Sequence, residues 1–171
     1  QEQKKPIGLP DAFRIGKKFI KKENVALILG DNFFYGQYLT QLLQNCSKLS
    51  NGAKVLLHKV SKPSLYGVAK INNNKKISLI KEKPKKFVSN LAITGLYFFD
   101  NKVVKYAKGL KPSKRGETEI TDLLQKYREN RELEADIIGR GGAWLDAGSI
   151  DNFYKSTSFV STIQNQQGFK I

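Results

Sequence analysis

The chain has 171 residues, 40% of them hydrophobic, and a formal net charge of +15. That length fits a single domain, and the apolar residues cluster densely enough to fill a core, which excludes a disordered chain. No apolar run approaches a membrane span, no signal-peptide pattern follows residues 1–6, and one Cys with one His excludes a disulfide framework and a zinc centre.

The chain contains no Met, as expected of a fragment or a processed chain. Its positive charge is mostly Lys, spread along the sequence with only short runs such as Lys83-Pro84-Lys85-Lys86. Arg, the residue suited to bidentate recognition of phosphates and bases, is scarce. The charge is therefore read as solvated surface, and neither nucleic acid nor a membrane is an expected partner.

In chain order, Leu9, Phe13, Ile15, Phe19 and Ile20 predict a helical stretch. Residues 25–29 are wholly apolar, the pattern of a strand buried on both faces of a parallel sheet. The run stops at Gly30-Asp31-Asn32, and a helix is predicted over 37–48, with Cys46 half-buried in it. Asn51-Gly52 makes a turn into a strand over 53–60, where His58 reads as a satisfied structural residue. Strands follow over 66–71, 77–81 and 91–99, the first two joined by a turn at Asn72-Asn73-Asn74. A short helix over 103–107, an amphipathic helix over 119–130 with Ile120, Leu123, Leu124 and Tyr127 on one face, and a strand over 133–138 come next. A glycine-rich segment over 141–149 leads into a closing helix over 151–164, capped by Ser149 or Asp151.

These elements describe an α/β fold: a Rossmann-like, mixed and mainly parallel sheet flanked by helices, with a hairpin-rich middle part, in one domain over 1–171. Ligands in open α/β sheets bind beyond the C-terminal ends of parallel strands, where Asp31 stands. One Asp after a strand is usually a turn or capping residue. Asp146 lies in a second glycine-rich setting, and two strand-end carboxylates make a cation-phosphate site plausible. The neighbouring charges have plainer readings too: Glu82-Lys83-Pro84 as a charged strand end, Glu117 and Glu119 as first-turn helix carboxylates, and Tyr66 and Tyr97 as strand packing.

Seven motifs then occur in order: Pro6-x-Gly8-Leu9, Leu29-Gly30-Asp31-Asn32, Tyr66-Gly67-Val68, Glu82-Lys83-Pro84, Thr94-Gly95-Leu96-Tyr97, Arg115-Gly116-Glu117-x-Glu119-Ile120-Thr121-Asp122 and Trp144-Leu145-Asp146. Over nearly the whole chain this order resembles the sugar-1-phosphate nucleotidyltransferase family, nearest to its bacterial glucose-1-phosphate thymidylyltransferase branch. The resemblance implies that Gln3, Pro6 and Gly8 line a nucleotide-base pocket and that Asp31 and Asp146 hold Mg²⁺. It implies a sugar-phosphate pocket of Asn32, Tyr66, Gly67, Glu82, Lys83, Ile93, Tyr97, Arg115 and Glu117, with Asp31, Asp146 and Lys83 catalytic. The implied substrates are dTTP and glucose 1-phosphate, with UTP or another hexose 1-phosphate as the variant, in a cytoplasmic homo-oligomer, a tetramer in the family. A non-catalytic module that keeps only the sugar-phosphate pocket is the alternative outside enzymes.

Two departures from the family pattern stand out. The family's first strand–loop–helix unit, whose glycine-rich loop cradles the triphosphate, has no counterpart in this sequence, so this chain alone is expected to turn over weakly or not at all. Ala147 and Ser149 stand where the family places Thr beside the second aspartate, which predicts a looser Asp146.

Overall fold

The computed structural model describes residues 2–74, 76–168 and 170–171. The first predicted helix is broken in two at Gly16, giving α1 (Asp11–Ile15) and α2 (Lys17–Ile20). Phe13 and Ile20 are buried, whereas Phe19 is 88% exposed, so the apolar spacing did not mark one continuous buried face.

The apolar run after them forms β1 (Val25–Ile28). It is not buried on both faces: Val25 and Leu27 are half-buried while Ala26 and Ile28 are exposed. Among the described residues β1 pairs with one strand only, which leaves its other edge and outer face uncovered. The chain then forms β2 (Asn32–Gly36), α3 (Leu39–Ser47) and β3 (Ala53–Lys59). After a 3-10 turn at Pro63–Leu65 come β4 (Val68–Ile71), β5 (Ile77–Lys81) and the long β6 (Leu91–Phe99). Helices α4 (Val103–Lys108) and α5 (Ile120–Glu129) precede β7 (Leu133–Ile137), β8 (Gly142–Asp146) and α6 (Ile150–Gln167). Ser149 caps α6, its hydroxyl accepting from the Asn152 amide (3.3 Å).

The main sheet has the order β5-β4-β6-β3-β7, with β1 also on β6. Strands β1, β3, β4 and β7 run one way, but antiparallel β6 lies between them, so β3·β7 is the one parallel ladder among the described residues. The sheet is mixed, as expected, and four of its six strands run one way, but its ladders are mainly antiparallel. Where β3 bulges between Val55 and Leu57, the buried Thr94 hydroxyl donates to the Leu56 carbonyl (3.0 Å), so the irregularity leaves no orphan acceptor there.

One face of the sheet packs Val55, Leu57 and Phe99 against Phe13, Val103, Leu123, Leu124 and Tyr127 from the helices. The other packs Leu56 and Leu96 against Cys46, Ile138 and Trp144. Cys46 is fully buried, deeper than expected, and burial above all, with Asp136 adding, pushes its thiol up to about 11. Such a thiol is a packing group rather than a nucleophile. His58 lies on β3 as predicted, but its Nδ1 is buried without a hydrogen-bond partner, contrary to the expectation of a satisfied residue.

Two segments with no predicted strand form a ribbon. β2 and β8 pair antiparallel, Asn32 opposite Asp146 and Gly36 opposite Gly142. The ribbon brings Phe33 and Tyr35 edge-on to Phe159 of α6, at 6.2 and 5.8 Å.

Candidate active site

The site is set by a break in one edge of β6. β1 and β4 share that edge end to end. β1 covers it from Phe99 to Leu96, and the Leu29 amide then donates to the Gly95 carbonyl (2.9 Å). β4 begins opposite Ala92, and the Ile93 amide donates to the Gly67 carbonyl (2.8 Å). Between them the Gly95 amide has no strand to meet. The Asn32 side chain fills the place: its Oδ1 accepts from Gly95 (3.0 Å) and from the indole N–H of Trp144 (2.6 Å). Gly95 is needed because a Cβ there would lie 2.5 Å from that same Oδ1.

Asp31 and Asp146 meet at the end of the β2·β8 ribbon. A Cβ built on Gly148 would lie 3.0 Å from Asp31 Oδ2 and 3.0 Å from Asp146 Oδ1. Both oxygens therefore border the small space that this glycine leaves open. Asp146 Oδ1 accepts from the Gly148 amide (3.0 Å), Asp31 Oδ1 accepts from Asn32 Nδ2 (2.8 Å), and the Ala147 amide donates to the Asp31 carbonyl (2.7 Å). The backbone of residues 147 and 148 thus donates one hydrogen bond to the Asp146 side chain and one to the Asp31 main chain. Among the described residues no three His, Cys, Asp or Glu side chains form a metal cluster. The pair fits an ion such as Mg²⁺, which takes one or two carboxylates and fills its shell with phosphate oxygens and water.

The second half of the site lies beside the start of β4. Gly67 faces Glu82: a Cβ there would meet Glu82 Oε2 and Thr121 Cγ2, each at 3.0 Å, with Ile93 Cδ1 at 3.9 Å. Burial, and secondarily Glu119, raises the Glu82 carboxyl above its ordinary pKa, while Lys83, Thr121 and Arg115 pull it back. Lys83 is exposed and carries a left-handed φ of 35° next to a buried proline, a conformation that favours glycine. Its amide donates to the Tyr66 carbonyl (3.1 Å), fixing this bend against the segment before β4. Tyr66 packs edge-on to Trp144 at 5.1 Å; burial and then Asp146 raise its hydroxyl pKa. Tyr97 is buried in β6, its pKa raised by burial and then by Glu82 and Asp31.

Arg115 is exposed, and its guanidinium lies 3.8 Å from Glu119. Glu119 is the N-cap residue of α5 but makes no cap bond; its carboxylate accepts from the Ser113 hydroxyl (2.8 Å) instead. Glu117 is half-buried in the same loop. Gln3, Pro6 and Gly8 lie on the segment before α1. Gln3 Nε2 donates to the Gly8 carbonyl (3.3 Å) and to Asp11 (3.2 Å). The Thr118 amide donates to the Ile7 carbonyl (2.8 Å), tying this segment to the Arg115–Glu119 loop. Gly8 has a φ of 115°, and a Cβ on it would run into the Thr118 carbonyl.

Sequence reasoning missed Gly148 as the spacer between the aspartates, the Thr121 contact and the influence of Glu119 on Glu82. The signal for the first was a glycine two residues after Asp146. A polar cavity of about 570 Å³ opens beside Asp146, lined by His58, Lys62, Tyr66, Trp144 and Lys155 among others.

The mixed α/β sheet gathers paired carboxylates beside one ribbon end and a partly buried acid beside a lysine. The chain belongs to the nucleotidyl transferase family: the family profile described as "Nucleotidyl transferase" matches residues 1–163. It is 47% identical over 169 residues to a glucose-1-phosphate thymidylyltransferase of Neisseria meningitidis, covering 99% of this chain and 59% of that protein. Against the corresponding enzyme of Xanthomonas campestris the identity is 43%, over 99% of this chain and 57% of the relative. The fold is similar to UDP-glucose pyrophosphorylase complexed with UDP-glucose, with a TM-score of 0.83 at 26% identity, covering 94% of this chain and 64% of that one. The chain thus spans a little under three fifths of the length of these curated relatives.

Proposed function

We propose that this chain carries the metal-binding carboxylates and the sugar-phosphate pocket of a glucose-1-phosphate thymidylyltransferase. In that reaction a phosphate oxygen of glucose 1-phosphate bonds to the α-phosphorus of dTTP, the bond from that phosphorus to the bridging oxygen breaks, and pyrophosphate leaves with the electron pair. No proton transfer and no covalent enzyme intermediate are required, which suits a chain whose one thiol is buried and held neutral.

The observation that carries the reading is the pair of carboxylate oxygens bordering Gly148. Asp31 and Asp146 would hold Mg²⁺, which supplies charge neutralisation to the phosphates. Glu82 accepts hydrogen bonds from sugar hydroxyls, and Gly67 lets the sugar approach the backbone. Lys83 and Arg115 offset phosphate charge, Asn32, Tyr66, Ile93, Tyr97 and Glu117 wall the pocket, and Gln3, Pro6 and Gly8 face the base. Catalysis is then positioning and electrostatic stabilisation. The family resemblance supports a cytoplasmic homo-tetramer; the exposed Ile150, Phe153 and Tyr154 of α6 offer apolar surface for such contacts.

The test is pyrophosphate release from glucose 1-phosphate by the polypeptide that carries this chain, with each nucleoside triphosphate in turn, with and without Mg²⁺. The reading expects Mg²⁺-dependent release with dTTP above UTP. Preference for UTP would move the chain to the uridylyl branch; no release with any pair, alongside undiminished sugar-phosphate binding, would favour the non-catalytic module.

A further inference from the structure

We infer that Asn32, besides walling the sugar pocket, is a positioning residue for the Asp31 carboxylate. The inference rests on the reading of Asp31 and Asp146 as a cation pair. An Asn side chain offers two acceptor and two donor positions. Here both acceptor positions are bonded to fixed groups: the Gly95 amide of β6 at 3.0 Å and the Trp144 indole of β8 at 2.6 Å. Both partners can only donate, so the oxygen must face them and the nitrogen must face Asp31. Nδ2 then donates to Asp31 Oδ1 at 2.8 Å. The other Asp31 oxygen, Oδ2, is the one that borders Gly148 opposite Asp146 Oδ1.

The geometry has a direct consequence. One carboxylate oxygen is tied back to the protein, which directs the other toward the space beside Gly148. Asn32 is itself anchored through its backbone, paired opposite Asp146 in the β2·β8 ribbon. The same residue therefore registers both aspartates, one through its main chain and one through its amide. Partners of metal-bound carboxylates commonly change metal affinity when removed, by about tenfold or more.

The test uses Mn²⁺ as the probe, its binding read from the electron paramagnetic resonance of the free ion, so no turnover is needed. Wild-type chain should bind Mn²⁺, and Asp31→Asn should not. Asn32→Ala should weaken binding about tenfold, leave the far-ultraviolet circular dichroism unchanged, and shift the single indole N–H resonance, since Trp144 is the only tryptophan. Equal binding by wild type and a folded Asn32→Ala, with Asp31→Asn still defective, would overturn the inference alone. Equal binding, or none, by wild type and Asp31→Asn would overturn the cation pair on which it rests. Should Asn32→Ala fail to fold, Trp144→Phe removes one of the two donors to Oδ1; it should weaken Mn²⁺ binding by about threefold, and unchanged affinity would overturn the inference. Weaker glucose 1-phosphate binding with Mn²⁺ affinity intact would also overturn it, leaving Asn32 as a sugar contact alone.

Discussion

The aspartate pair and the Glu82 pocket lie on either side of one break in β6, yet they are held differently. Asp31 and Asp146 stand at an open strand end, and hydrogen bonds from Asn32 and from the backbone at 148 fix their direction. Glu82 is fixed by its setting: it lies against Gly67, accepts a hydrogen bond from Thr121, and burial raises its pKa. Accessible carboxylates suit an ion that arrives hydrated with its phosphates. A partly desolvated carboxylate suits neutral hydroxyl donors, which add to the bond it already accepts from Thr121. The two halves should therefore fail in different ways when perturbed.

The largest effect is expected at the open end. Asp31→Asn and Asp146→Asn should each lower Mg²⁺-dependent pyrophosphate release by about three orders of magnitude, with sugar-phosphate binding retained. Gly67→Ala should instead weaken glucose 1-phosphate binding by about tenfold, because the new methyl meets Glu82 and Thr121 at 3.0 Å. Calorimetric titration with the sugar phosphate checks this, and Mn²⁺ affinity should not move.

Glu82→Gln sharpens the contrast through pH. A raised carboxyl pKa means that the folded chain binds this proton more tightly than the unfolded chain does. The ionised side chain therefore costs stability once the pH exceeds its folded pKa, and the cost is absent below the ordinary carboxylate value. The variant should melt higher than wild type at neutral pH, with the gap closing below about pH 4, while its sugar-phosphate affinity falls. The smallest effect on ligands is expected from Tyr127→Phe. It removes a buried hydroxyl that donates to Asp100 at 2.9 Å and should cost about 1 kcal/mol in a denaturant melt without touching either half of the site.

The difference between the halves also explains what the sequence made legible. Strands β3 and β6 were readable because their residues meet core on both faces, so apolar character persists along them. β1 has the same composition but one uncovered edge, and its apolar run overstated its burial. The β2·β8 ribbon was invisible because its strands are separated by more than a hundred residues, and Gly142-Ala143-Trp144-Leu145-Asp146 has no alternation to mark it. Asp31 and Asp146 could be singled out only by the order of motifs around them. The Asn32 network could not be found at all, since its acceptor bonds reach 63 and 112 residues along the chain. Glu119 shows the converse: its place at a helix start was readable, but its carboxylate turns to Ser113 and acts on Glu82 instead.

The most direct measurement of the two-part site is nuclear magnetic resonance mapping on this chain, adding glucose 1-phosphate and Mg²⁺ separately. The account predicts that the sugar phosphate shifts the amides of Gly67, Glu82, Lys83 and Ile93, and that Mg²⁺ shifts those of Asp31, Asp146 and Gly148. Shifts confined to other parts of the chain, or both ligands moving one and the same set, would contradict it.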